Sequence, residues 1–137
     1  MARIATSIEE ANRLLKLGVD IEKADMWWES GVCGPELIVG NYSLHIQGRA
    51  TDNDYKKLTN KVLSPAFSLS ALIDMMPYWI VVKDNNCEHY MCRRIYNNEI
   101  SYHEHDGLHR IFSSYDMVSV AVDIICTLIS EGHIQTL

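Results

Sequence analysis

The sequence lacks both a long apolar run and an excess of positive charge. No stretch approaches the roughly 20 apolar residues that a membrane-spanning helix needs, and the N-terminus has no apolar core of a secretion signal. Lysine and arginine number 12 against 18 acidic residues, a net charge of -6. That sign opposes binding to phosphate backbones. We therefore expect a cytoplasmic protein with no membrane partner, for which nucleic acid is an unfavoured partner.

Catalytic and cofactor motifs are missing as well. The 7 glycines never form the phosphate-binding patterns GxGxxG or GxxxxGK[ST], and no HExxH zinc motif is present. The 4 cysteines are too scattered for the close ligand pairs of a structural zinc site. We expect them to stay reduced in a cytosol, with Cys126 a small core residue. The residues alone assign no activity.

The residues that are present describe one folded domain. A chain of 137 residues with 47% apolar and 22% charged residues has ordinary globular composition and the commonest size of a single domain. We predict an α+β domain over residues 1–137, with an N-terminal helix, short strands, a capped helix, a three-stranded antiparallel meander and a long C-terminal amphipathic helix packed on the sheet.

The first half predicts one helix followed by short strands and a surface loop. A capping box at residues 6–9 (TSIE) and helically spaced apolar residues predict a helix over 7–17 that ends at Gly18. Aromatic residues at 26–28 predict the start of a strand. The glycines and proline of 31–40 favour no long element, alternation in 42–47 predicts a strand, and the polar segment 48–64 predicts a surface loop.

The second half predicts a helix and then a meander. Ser68 caps a helix over 69–76, which Pro77 ends. Strands are expected at about 79–83, 87–96 and 99–105, joined by asparagine-containing turns.

The last helix, expected over 115–131 with Ser114 as its cap and Gly132 as its stop, has an unusually wide apolar face. Its polar residues form one narrow stripe, whereas a helix on a single sheet needs an apolar stripe of only about 100°. We expect the remainder to contact the first helix or a second copy of the chain, which would make a homodimer.

Cysteine and histidine residues cluster on the predicted meander. If its second turn holds two residues, Cys92 lies opposite His103, and both share a face with His105. These three residues are the candidate ligands of a zinc ion, in a metal-binding module or metal-dependent enzyme. The alternative is that they are ordinary strand residues.

The order helix, three strands, helix over residues 68–137 is that of double-stranded-RNA-binding domains. Those domains grip phosphates with lysines at the start of the second helix. Here residues 113–116 (SSYD) stand at that position, and the segment holds four lysines and arginines against nine acidic residues. Nucleic-acid binding is therefore a third hypothesis that the charge contradicts.

Two adjacent tryptophans, Trp27 and Trp28, point to opposite faces of their strand. One of them is a candidate for an exposed interaction surface, since exposed tryptophans are enriched at interface hot spots. The alternative is that the segment 48–64 covers the outer one.

Several segments together resemble small proteins of gut Bacteroidales genomes and their phages, a family with no assigned activity. The matching segments are residues 4–9 (IATSIE), 14–18 (LLKLG), 24–26 (ADM), 65–72 (PAFSLSAL), 76–77 (MP) and 131–134 (EGHI). The central motif usually has Trp where Phe67 stands. The resemblance implies a phage or prophage accessory protein in a bacterial cytoplasm. We expect it to act without catalysis by binding a host or phage protein.

Overall fold

The computed structural model describes residues 3–47, 62–97, 99–104, 109–113 and 116–136. These residues form an α+β fold of helices and antiparallel sheets, which confirms the predicted class. The α-helices are α1 (Ile8–Lys16), α2 (Tyr42–Gln47), α3 (Leu69–Met75) and α4 (Met117–Ser130), with a short 3-10 helix at Ile21–Lys23. The strands are β1 (Met26–Gly31), β2 (Gly34–Val39), β3 (Val62–Ala66), β4 (Trp79–Asp84), β5 (Cys87–Tyr96), β6 (Glu99–His103) and β7 (His109–Ser113).

Helix α1 lies within one residue of its predicted bounds at each end. The hydroxyl of Ser7 accepts the Glu10 amide at 3.1 Å, and the Glu10 carboxylate accepts the Ser7 amide at 2.9 Å. The capping box is thus one residue later than predicted. Gly18 has a φ of 95°, and the Val19 amide donates to the Leu14 carbonyl at 3.1 Å. This left-handed cap closes the helix as expected.

The first sheet has the order β2-β1-β3 and corrects one prediction. The segment around residues 31–40, where no long element was expected, lies in a hairpin of two short strands that turns at Val32 and Cys33. Gly34 supplies a φ of 119° after the turn, and Pro35 is tolerated because β2 is an edge strand. The end of the predicted polar loop was wrong, since β3 pairs with β1. The rest of that predicted loop, residues 48–61, lies outside the described residues.

Helix α2 stands where alternation predicted a strand. The Asn41 side chain accepts the Leu44 amide at 2.9 Å and so caps the helix. Tyr42 packs against the core, whereas Leu44, which a strand would have buried on the same face, is 68% exposed. Six residues carry too little periodicity to separate a helix from a strand, and the cap decides for the helix.

The second sheet contains the predicted meander and one further strand. Its order is β4-β5-β6-β7, with left-handed asparagines in the turns (Asn85, Asn86 and Asn97, φ between 46° and 68°). Position 105, predicted to lie in the third strand, is outside the described residues. The fourth strand was missed, and it makes the order helix, four strands, helix. The match to double-stranded-RNA-binding domains was therefore wrong by one strand.

Helix α4 lies at the centre of the core. Asp116 caps it by accepting the Ser119 amide at 3.3 Å, and the predicted cap, Ser114, lies outside the described residues. Eight of its residues are buried (Val118, Val120, Ala121, Val122, Ile124, Ile125, Cys126 and Leu128). Helices α1 and α3 and strands β6 and β7 all pack on it. Its wide apolar face is therefore covered within one chain, and it supplies no reason to expect a second copy there.

Although α4 is strongly apolar, none of the helices seen in the described ranges combines the length and hydropathy needed to cross a membrane.

A buried tyrosine should make stability depend on alkaline pH. Tyr102 is 1% exposed and donates to the Pro77 carbonyl at 2.7 Å, and burial raises its pKa to about 12 from 10.0. The unfolded chain therefore loses this proton first, and stability falls as pH rises from 10 towards 12. We expect the stability difference between the native protein and Tyr102→Phe to shrink by about 1–2 kcal/mol over that range, measured by urea unfolding.

The matched control for this measurement is Tyr96→Phe, which alters a tyrosine that is 63% exposed. Its unfolding free energy at neutral pH should lie within about 0.5 kcal/mol of that of the native protein. A native protein and a Tyr102→Phe variant with parallel pH curves would contradict the assignment.

Candidate interaction surface

The four-stranded sheet has one face against the helices and an opposite face that is exposed mainly along β4 and β5, while Ser101 of β6 is buried on it. Ile80, Met91 and Ile100 point to the core and are 2% or less exposed, so their strand neighbours point the opposite way. We call that opposite side the outer face; its described residues are Trp79, Val81, Lys83, Glu88, Tyr90, Cys92, Arg94, Tyr96, Glu99, Ser101, His103 and Ile111.

Large aromatic side chains stand exposed on the outer face. Trp79 and Tyr90 are each 59% exposed, and Tyr96 is 63% exposed. Tyr78, directly before β4, packs edge-on against Trp79 with ring centroids 5.7 Å apart. Such exposure of adjacent aromatics costs free energy in water, because their apolar surface is left hydrated.

An open depression of about 700 Å³ lies beside these rings. Tyr78, Trp79 and Tyr90 line it together with Cys92, Arg93, Arg94, His103 and Glu104. Its lining combines apolar ring surface with hydroxyl and guanidinium donors, and the Glu104 carboxylate in it already contacts the His89 Nδ1 atom at 2.8 Å. Such a lining suits a ligand that is partly apolar and partly anionic.

Two adjacent arginines have different roles here. Arg93 donates from one nitrogen to the carbonyls of Ile73 and Met76 at 2.9 and 3.0 Å, so it holds the end of α3. The Arg94 guanidinium stands 5.9 Å from the centroid of the Tyr96 ring, and among the described residues it forms no ion pair. Arg94 is thus a cation available to a bound partner.

Hydrogen bonds raise the pKa of two phenols on this surface, Tyr78 and Tyr90. A hydrogen bond with Cys92 raises the pKa of Tyr78, and a hydrogen bond with the Glu88 carboxylate raises the pKa of Tyr90. The Tyr90 hydroxyl donates to that carboxylate at 3.2 Å. These groups are hydrogen-bond donors and apolar contacts, with no activated base among them.

The structure describes two of the three residues in the predicted Cys/His site, Cys92 and His103. The turn between β5 and β6 holds two residues, so Cys92 pairs with His103 across the strands as predicted. The His103 Nε2 atom lies 2.6 Å from the Ser101 hydroxyl, and His105 lies outside the described residues. Within the ranges that the structure describes, no three His, Cys, Asp or Glu residues are arranged to hold a metal ion. Zinc binding by Cys92, His103 and His105 stays a prediction.

The two tryptophans of β1 are placed differently from Trp79. Trp27 is 7% exposed, and its indole donates to the Glu29 carboxylate at 3.0 Å. Trp28 is half-buried, and its indole donates to the Thr6 carbonyl at 2.9 Å. An interaction surface at Trp27 and Trp28 stays a prediction, while the exposed indole of the described chain is that of Trp79.

Sequence reasoning missed the outer face as a surface. The available signal was alternation along the strands. Trp79 precedes Ile80, and Tyr90 precedes Met91, so each aromatic side chain points to the face away from its core neighbour. Alternation separates two faces, and it does not say which one the helices cover.

Comparison with known proteins yields no match to a protein-family model, to a curated protein or to a solved structure. The role of the outer face is therefore inferred from its own geometry.

Proposed function

We propose that this chain is a non-enzymatic binding protein that recognises a partner protein through the outer face. The observation that carries the proposal is the group of exposed aromatic rings around the depression, Tyr78, Trp79 and Tyr90. Tryptophan, tyrosine and arginine dominate the energetics of protein interfaces. Contiguous exposed apolar patches on soluble domains commonly mark such sites.

The chemistry of the depression defines the partner. Its ring surfaces accept a protruding apolar or aromatic side chain, and Arg94 accepts a carboxylate beside that side chain. The partner therefore presents an apolar side chain flanked by an acidic residue on its surface.

Charge favours a protein over a nucleic acid as that partner. Lys83 and Arg94 are balanced on the outer face by Glu88 and Glu99, and the whole chain carries -6. A stacking platform for single strands combines aromatic rings with a positively charged groove, and here the positive groove is missing among the described residues.

The resemblance to proteins of gut Bacteroidales genomes and their phages supports a biological setting. We place the protein in a bacterial cytoplasm as a phage or prophage accessory factor, with a host or phage protein as its partner. The partner should therefore be sought in infected or lysogenic bacterial cells.

The test is affinity capture from infected or lysogenic cells, followed by binding measurements with the purified partner. Trp79→Ala should weaken binding by at least about 30-fold, because a central aromatic anchor is worth about 2 kcal/mol or more. Arg94→Glu should also weaken binding, because the new carboxylate would repel the acidic residue of the partner.

The matched control for Trp79→Ala is Ile111→Ala, which removes an exposed apolar side chain from the same face on strand β7. It should change affinity by less than about threefold. A partner that binds native protein, Trp79→Ala and Arg94→Glu equally well would overturn the proposal. Loss of binding only in Trp27→Ala or Trp28→Ala would move the site to β1.

A further inference from the structure

Strand β4 lies at an edge of the four-stranded sheet. On the side away from β5, no strand neighbours it in the described structure. The Arg93 amide donates to the Tyr78 carbonyl at 2.8 Å, so this pair is hydrogen-bonded across β4 and β5. Hydrogen-bonded and non-hydrogen-bonded pairs alternate along an antiparallel ladder. The backbone groups of Ile80 and Val82 therefore face β5. Those of Trp79, Val81 and Lys83 point away from β5, in the plane of the sheet and towards its free edge.

The edge carries little protection against pairing. Native edge strands are commonly blunted by lysine or other charged side chains, by proline or by bulges. Strand β4 has one such lysine, Lys83, near its end, and it pairs with β5 in continuous register without a bulge. Trp79 is 59% exposed and Val81 is 37% exposed. Lys83 is the single charge among the three outward-facing residues.

We propose that a second copy of the chain pairs with this edge, so that two β4 strands run antiparallel about a two-fold axis at Val81. Val81 then lies opposite the partner's Val81, and Trp79 lies opposite the partner's Lys83. All three outward residues enter hydrogen-bonded pairs, each of which exchanges two backbone bonds. The two four-stranded sheets become one continuous sheet.

Charge complementarity selects a second copy as the occupant. In this register no like charges lie opposite one another, and each ammonium faces an indole, a favourable cation–π arrangement. The strand of a second copy is also already extended and held by β5, so pairing does not have to order a flexible segment.

This pairing rests on the backbone groups of the β4 edge, whereas the proposed function rests on side chains of the outer face. The two share Trp79, which the partner's Lys83 would border. The pairing extends the sheet sideways, so the two aromatic depressions would lie on one shared surface. A failure to dimerise would leave partner binding by a single copy intact.

The first test replaces Val81 with proline. The Val81 amide faces away from β5, so proline removes an outward donor without removing a β4–β5 hydrogen bond. Light scattering over a concentration series should give a dimer for the native protein. The dissociation constant of Val81→Pro should be at least about 100-fold higher.

The matched control is Ile111→Pro on β7, the opposite edge of the sheet. Ile111 is also on the outer face, and the same alternation turns its amide outward. This variant should remain dimeric, and circular dichroism should show both proline variants folded.

A second test uses disulfide crosslinking and needs no proline variant. It reports which residues of the two β4 strands lie opposite one another. In a background with Cys33→Ser and Cys87→Ser, which removes the exposed thiols, Val81→Cys should form a disulfide-linked dimer under mild oxidation. A hydrogen-bonded antiparallel pair has Cα atoms about 5.5 Å apart, within disulfide reach. Lys83→Cys should not crosslink, because the two copies of that position lie about 14 Å apart.

Three results would overturn the proposal. One is a strictly monomeric native protein at every concentration. Another is equal dissociation by Val81→Pro and Ile111→Pro. The third is crosslinking by Lys83→Cys as fast as by Val81→Cys. A monomer that instead binds a foreign extended peptide along β4 would assign the edge to another protein.

Discussion

Replacing Phe67 with alanine should lower the free energy of unfolding by about 3–5 kcal/mol, the largest stability loss expected for a single truncation here. Phe67 is 0% exposed and belongs to the main core. It directly follows β3 and precedes the Ser68 cap of α3, so it joins the first sheet to the helical core. The cavity left by the ring would be lined by rigid, close-packed neighbours that collapse only partly.

The backbone of Phe67 is also fixed, which limits relaxation. Its amide donates to the Thr6 hydroxyl at 3.1 Å, and its carbonyl accepts the Thr6 amide at 3.0 Å. Thr6 itself is 0% exposed. Because these bonds do not involve the ring, they should persist in the variant and keep the cavity open.

Chemical unfolding of the native protein and Phe67→Ala provides the measurement. Leu63→Ala is the matched control, because Leu63 lies on β3 and is 45% exposed; it should cost less than about 1 kcal/mol. A Phe67→Ala variant no less stable than Leu63→Ala would show that the ring does not fill the core as described.

Replacing Arg93 with methionine should destabilise the protein by about 2–3 kcal/mol. One guanidinium nitrogen bonds the carbonyls of Ile73 and Met76. These carbonyls stand at the C-terminal end of α3, where a cation also opposes the negative end of the helix. Methionine preserves much of the apolar stem but donates no hydrogen bond.

The neighbouring residue supplies the control for this substitution. Arg94→Met removes an identical side chain from the outer face, where it makes no ion pair with any described residue, and should change stability by less than about 0.5 kcal/mol. Both arginines line the depression, and the Arg93 guanidinium lies 5.8 Å from the centroid of the Tyr78 ring. Both substitutions should therefore weaken the partner complex, while only Arg93→Met should also lower stability. Equal stability losses would contradict these separate roles.

The candidate surface was only partly predictable. The opposition of Cys92 and His103 followed from the two-residue turn that asparagines favour, because turn length determines register. The sequence could not indicate that Trp79 and Tyr90 face solvent. That depends on where the helices pack, and the buried face of β4 is as apolar as its exposed one.

Local signals alone determined α1, α3, the asparagine turns and most of α4. A cap, a helix-ending glycine or proline, and an apolar period act within a few residues, so they can be read without knowing the rest of the chain. The tertiary structure decided the β1–β2–β3 sheet, strand β7, helix α2 and the open outer face. Strand partners lie far apart along the chain, and a short strand is stable only when a neighbour satisfies its backbone. Burial, in turn, is a property of packing: α4 is apolar nearly all round because α1, α3 and the sheet surround it, and aromatic side chains on the opposite side of that sheet are left exposed.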